Sequence, residues 1–227
     1  MSRNQVRRLP ERGRYDEGSI HAILDAAFLC HVAFNVDGQP FVIPTLFARE
    51  GNTLYLHGSA ASRMLRQLKE GIAACITVTL VDGLVLARSA FHHSINYRSA
   101  VCFGTAKAVE GDEEKNRVLA LISENVIRGR WDEVRPPTAQ ELKATLVLAF
   151  TIEEASGKVR TGGPKDDAED YALPVWAGVL PLSVEAGAAI PDGEQGSAVP
   201  GYVNDWAGLR QHRSQDPEAS DGSGAEG

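Results

Sequence analysis

The chain has 227 residues, 43% hydrophobic and 23% charged, which suits one globular domain with a sizeable core. Its formal net charge of −7 argues against a nucleic-acid partner, although local positive charge can still hold an anionic cofactor. No apolar run approaches the ~20 residues of a membrane helix, and the start MSRNQVRRLPERGR lacks a signal-peptide core, so a cytoplasmic location without a membrane partner is expected.

Residues 1–14 carry five arginines against one glutamate and read as a basic arm, solvated or strapped over a neighbour. Ser19 is expected to cap a helix running to about Ala27, with Ile20, Ile23, Leu24 and Ala27 on one face. AFLCHVAFNV then reads as a strand, Asp37-Gly38 as a hairpin turn, and QPFVIPTLFA as the returning strand. Pro44 removes a backbone donor, so that strand is expected to lie at an edge or to bulge there. After TLYLH comes a predicted helix from about Ala60 to Lys69, with Ser59 placed to cap it and Gly71 closing it. ACITVTLV, a turn at Asp82-Gly83 and LVLARSA lead to a long strand around NYRSAVCFGTAKAVE. Residues 112–128 are predicted helical, with Val118, Leu119, Leu121, Ile122 and Val126 as a core-packing stripe. Pro136-Pro137 breaks the chain, Thr138 opens a short helix, and ATLVLAFTIEE is an apolar strand. Short strands at regular intervals favour a closed sheet, so a mainly β barrel with flanking helices is expected over residues 15–189. Residues 190–227 turn to Gly, Ser, Pro, Asp and Glu and read as a low-complexity tail, expected to be disordered beyond about Trp206. Cys30, Cys75 and Cys102 form no C-x-x-C spacing and read as reduced thiols.

Three stretches carry chemistry. In LYLHGSAASRMLRQL, residues 54–68, amide donors, hydroxyls and a guanidinium meet at a helix start, which suits a phosphate; the same residues suit an ordinary N-cap with a solvated arginine. In RSAFHHSINYRSAVCFG, residues 88–104, His92 and His93 alternate across a strand and make no metal pair, so no metal site is expected. Asn96, Arg98 and Ala100 share one face of that strand, while Tyr97, Ser99 and Val101 share the other; a lined cleft and a polar outer face both fit. In SGKVRTGG, residues 156–163, Lys158 and Arg160 either add charge to a phosphate site or face water, and Trp176 either stacks on an aromatic ligand or packs.

RGRYD at 12–16, DGQPFVIPT at 37–45, YLHGSAASRM at 55–64, LVLARSAFHHSINYRSAV at 84–101, GRWDEVRPP at 129–137, KVRTGGP at 158–164 and VWAGVLPL at 175–182 occur in one order. Together they resemble the pyridoxamine 5′-phosphate oxidase-like superfamily of FMN-binding split barrels, in its nitroimidazole-resistance-type branch. The resemblance implies FMN held at a homodimer interface. It implies a strand of Val42, Ile43, Pro44, Thr45 and Leu46 beside the flavin ring, with His57, Gly58, Ser59, Ser62 and Arg63 binding phosphate and ribityl. It further implies Tyr97, Arg98 and Ser99 bordering the flavin from the same or the partner subunit, with Lys158 and Trp176 closing the site. The segment from Val175 to Gly193 has no basic residue, so the arginine-and-histidine substrate clamp of true pyridoxamine phosphate oxidases is missing.

The function expected on this basis is an FMN-dependent oxidoreductase acting on a small molecule by hydride transfer, with His92, Tyr97 and Arg98 as candidate catalytic groups. Two alternatives stay open. One is a non-enzymatic flavin or haem protein on the same barrel, needing His57, His92 or His93 to project inward. The other is a deazaflavin-dependent reductase, with an extended phosphate site.

Overall fold

Asp37 and Gly38 both have positive φ, 51° and 81°, the two-residue turn whose twist matches antiparallel strands. They join β2 (Leu29–Val36) to β3 (Gln39–Glu50) in unbroken register from Leu29↔Leu46 to Val36↔Gln39. The computed structural model describes residues 3–193 and 198–206. From this hairpin the sheet grows through β4 (Thr53–Ser59), β5 (Ala74–Leu86), β6 (Ser94–Ala108) and β7 (Thr145–Arg160). Its order is β1-β7-β4-β3-β2-β5-β6, and the additional pairing of β6 with β7 closes β2 to β7 into the expected barrel. The short β1 (Gly13–Arg14) lies against β7, and β8 (Gly178–Pro181) against the end of β5.

Closure depends on one glycine. Between Phe103 and Gly104 the β6–β7 register shifts, and a Cβ on Gly104 would lie 1.9 Å from the Thr151 carbonyl oxygen. Only a residue without a side chain lets the two backbones meet at this bulge.

The barrel interior holds Val32, Phe47, Leu54, Leu56, Ile76 and Phe150, sealed by Leu24 from α1 (Glu17–Asp25) and Leu65 and Leu68 from α2 (Arg63–Lys69). A smaller cluster outside joins Ala48, Tyr55 and Val147 of the sheet to Val118 and Ile122 of α3 (Asp112–Val126). Thr138 caps α4 (Ala139–Ala144) in a reciprocal box with Glu141. Among the described residues no helix is long and apolar enough to cross a membrane.

Several boundaries differ from the sequence expectation. Asp16, not Ser19, caps α1: its carboxylate accepts the Ser19 amide at 2.8 Å, which holds its pKa below the ordinary value. Helix α2 begins at Arg63 because Ser59 is still paired with Thr145 of β7, so Ser62 becomes the cap. Asp82-Gly83 is no hairpin turn. It forms a bulge within one continuous β5, since β6 runs alongside on both sides of it and the bare Gly83 admits the Leu180 carbonyl of β8. The basic arm lies on its own barrel: Arg3 pairs with Glu153 and Glu154 and stacks over Phe103, and Asn4 donates to the Ala155 carbonyl. Part of the span read as tail is also packed. In 198–206, which includes α5 (Gly201–Asn204), Trp206 Nε1 donates to the Val126 carbonyl at 2.8 Å and its ring meets Phe28. The expectation of disorder beyond Trp206 falls outside the described residues. Cys30 and Cys102 are buried free thiols whose pKa burial pushes up to about 12.

Candidate functional site

Strand β3 changes partner along its length. Phe47 to Glu50 pair with β4, whereas residues 39–46 pair with β2 alone, because β4 turns away to follow β7. Alternate backbone groups of Val42, Ile43, Pro44, Thr45 and Leu46 therefore face a split in the barrel. The position explains why Pro44 is tolerated, as an edge residue has no second ladder to serve. Val42 is 63% exposed.

The far side of the split is built by the turn after β4. Gly58 lies close over α2, where a Cβ would sit 3.1 Å from Leu65 Cδ1. The Ser59 hydroxyl oxygen accepts the Ala61 amide and that of Ser62 accepts the Leu65 amide, so both O–H hydrogens remain available for an acceptor. Arg63 reaches back across the split with its guanidinium 4.6 Å from the centre of the Phe41 ring, and it has no carboxylate partner among the described residues. Helix α2 spans only two turns, so the charge here comes from Arg63 rather than from a helix dipole.

His57 lies in a different environment from the phosphate-binding duty expected of it. With Leu46 it lines a cavity of about 340 Å³ whose other walls are Leu119, Ile122 and Val126 of α3, Trp131 and Pro137. No cation lines this cavity. His57 Nδ1 is buried without a hydrogen-bond partner, and burial lowers the pKa of the ring. A neutral imidazole offers no charge to a phosphate; it is the form that binds a metal centre. The α3 stripe is thus core over Val118 and cavity wall over Leu119 and Val126.

The remaining sequence candidates sit elsewhere. Tyr97, Arg98 and Ser99 lie on β6 and Lys158 on β7, with Ser99 opposite Lys158 and Tyr97 opposite Arg160. Two strands separate β3 from β6 whichever way round the barrel is followed, so Tyr97, Arg98 and Ser99 occupy the opposite wall from Val42 to Leu46, and Lys158 lies on the adjoining β7. Arg98 is clamped by Asp82 through bonds of 3.0 and 2.7 Å, so its charge is already compensated. His92 approaches Asp167 at 3.3 Å and His93 Nδ1 contacts the Ser89 carbonyl oxygen at 2.8 Å. Of the three histidines considered for inward projection, His57 lines the cavity against α3. Trp176 is 68% exposed and leans on Gly178, where a Cβ would meet its ring at 2.9 Å. Trp131 carries no local signal for its place in the cavity; it arrives there because its own and the Gly129 amide are anchored by the Glu124 carboxylate of α3.

A mainly antiparallel closed sheet with flanking helices and a half-open strand is the split-barrel class of fold. A profile of the pyridoxamine 5′-phosphate oxidase family matches residues 16–159, and the chain belongs to this family. No curated protein matches it. Among solved structures it is similar to the flavocytochrome Anf3 of Azotobacter vinelandii, with 41% identity over 90% of this chain and 96% of that one and a TM-score of 0.83. It is also similar to the FAD and heme binding protein of Mycobacterium smegmatis, with 39% identity over 87% of this chain and 98% of that one and a TM-score of 0.81. A Bacteroides thetaiotaomicron protein named for 5-nitroimidazole antibiotic resistance shares 26% identity over 65% of this chain and 87% of its own, with a TM-score of 0.53.

Proposed function

We propose that this chain is a flavin-dependent oxidoreductase, with the flavin in the split between residues 42–46 and the turn at 59–63, at a homodimer interface. The observation that carries this reading is the one-sided strand edge of β3 facing two free hydroxyl hydrogens and Arg63. Backbone groups of 42–46 would hydrogen-bond the ring edge, and Ser59, Ser62 and Arg63 would hold the phosphate. Bound there, the flavin supplies the hydride chemistry.

The opposite-wall arrangement supports the dimer. Tyr97 and Ser99 would border the same flavin from a second copy, because the barrel interior between the walls is filled by core side chains. Exposed apolar residues around the β5–β8 end support such a contact, among them Phe91 at 90% exposure, Leu84, Ile95 and Leu180.

A second cofactor is favoured by the His57 cavity. A neutral imidazole with an unsatisfied nitrogen beside a largely apolar cavity fits haem ligation, and two relatives are named as a flavocytochrome and as a FAD and heme binding protein. His57 would ligate the iron, and Leu119, Val126 and Trp131 would contact the porphyrin.

The absorption spectrum of the purified protein tests both sites at once. Flavin bands and a Soret band are expected, His57→Ala losing the Soret band and keeping the flavin. Arg63→Ala is expected to retain flavin about 10- to 100-fold more weakly, whereas Arg117→Ala, on the outer face of α3, should not. Chromatography of the released flavin separates FMN, the smaller cofactor expected here, from FAD. A colourless protein, or equal flavin content in the two arginine variants, would sink the assignment.

A further inference from the structure

Many of the described arginines are paired with carboxylates; one corner gathers cations that are not. Strand β1 lays Gly13 opposite Lys158 and Arg14 opposite Gly157, which brings Arg12, Arg14, Lys158 and Arg160 onto adjoining backbone. Among the described residues none of these four cations has a carboxylate within salt-bridge distance. In contrast, Arg3, Arg49, Arg88, Arg98, Arg117 and Arg135 are each paired. Asp16, the acid nearest in sequence to Arg14, is engaged at the start of α1.

Arg160 is the centre of the corner. It is 7% exposed, and its guanidinium donates to the Asn96 side-chain oxygen and to the carbonyls of Gly162 and Gly163. All three acceptors are neutral. Dipoles of this kind orient a guanidinium without cancelling its charge, and an arginine cannot lose its proton to escape burial. Burial and the field of Arg12 both disfavour the charged form, so the missing element is an anion. Arg14 is already turned onto the carbonyls of Glu11 and Gly13, which leaves Arg12 and Lys158 to face an incoming ligand with Arg160.

We propose that Arg12, Lys158 and Arg160 form a binding site for a phosphoryl polyanion of the diphosphate type. Three cations, Lys158 and Arg160 at the end of β7 and Arg12 in the turn leading into β1, match a doubly or triply charged group better than a single carboxylate. Diphosphate can arrive free or as the bridge of a dinucleotide cofactor. The site stands apart from the Arg63 turn and does not rest on the flavin reading.

Calorimetric titration of the full-length purified protein with pyrophosphate at low salt, joined to chromatography of its released flavin, tests the proposal. Arg160→Gln is the direct variant; the double variant R12Q/K158Q alters only partly exposed side chains and keeps the test valid if Arg160→Gln fails to fold. With a free-diphosphate ligand, the unaltered chain binds pyrophosphate and the double variant binds about tenfold more weakly, its released flavin unchanged. If the ligand is the bridge of a dinucleotide, added pyrophosphate finds no site, and the double variant releases less FAD or releases FMN in its place. Both results support the corner and identify its source. The absence of pyrophosphate binding together with unaltered flavin content and identity overturns it. A colourless protein that binds pyrophosphate would remove the flavin reading and leave this site standing.

Discussion

The two ends of β7 handle charge in opposite ways. Near its start, Val147 pairs with His57, whose ring lines a cavity with leucine, isoleucine, valine and tryptophan. At its finish, Arg160 is buried among neutral oxygens beside Arg12 and Lys158. An imidazole answers burial by staying unprotonated, so the first environment needs no counter-charge. A guanidinium has no such option, and the second leaves its demand open to a ligand. One strand thus presents a neutral nitrogen at one end and unmatched positive charge at the other.

The largest effect is expected where the two ends are joined. Gly104→Ala forces a methyl group onto the Thr151 carbonyl in the middle of β7, and should cost about 3 kcal/mol or more in chemical denaturation. An unchanged midpoint would mean that the β6–β7 bulge does not fix the register linking the ends.

The neutral end has its own signature in pH. His57 titrates below its ordinary 6.5 when folded, so below pH 6.5 the unfolded chain binds a proton that the folded one resists. Stability should fall as pH drops through that range, by up to about 1.4 kcal/mol per pH unit from this group. The fall in His57→Phe between pH 7 and 5 should be shallower by that contribution; parallel curves would show that the ring is not held neutral.

The smallest effect concerns the segment closing over α3. Trp206→Ala removes the bond to the Val126 carbonyl and the contact with Phe28, and should lower stability by about 1–2 kcal/mol. A loss within error would separate this segment from the wall of the His57 cavity.

Legibility from sequence follows how local each feature is. Asp37-Gly38 turned the chain as read, since two positive φ angles suffice. The same kind of dipeptide at Asp82-Gly83 did not, because β6 continues alongside and the strand gains more by bulging than by reversing. Whether a partner strand continues is not written locally. Pro44 correctly marked an edge. Ser59 was expected to cap α2, but Ser62 does, because β7 follows β4 as far as Ser59. The cavity around His57 was the least visible feature. It is assembled from β3, β4, α3 and the loop at Trp131, and no spacing brings those residues together.

The half-open stretch of β3 carries one more consequence. A bare strand is a template on which stray chains can stack, and proteins commonly blunt such places with proline. Pro44 interrupts that template at its centre while leaving several carbonyls and amides exposed on either side. A ladder of another polypeptide needs a continuous run of donors and is refused. A small planar molecule, asking for only a few contacts, is not.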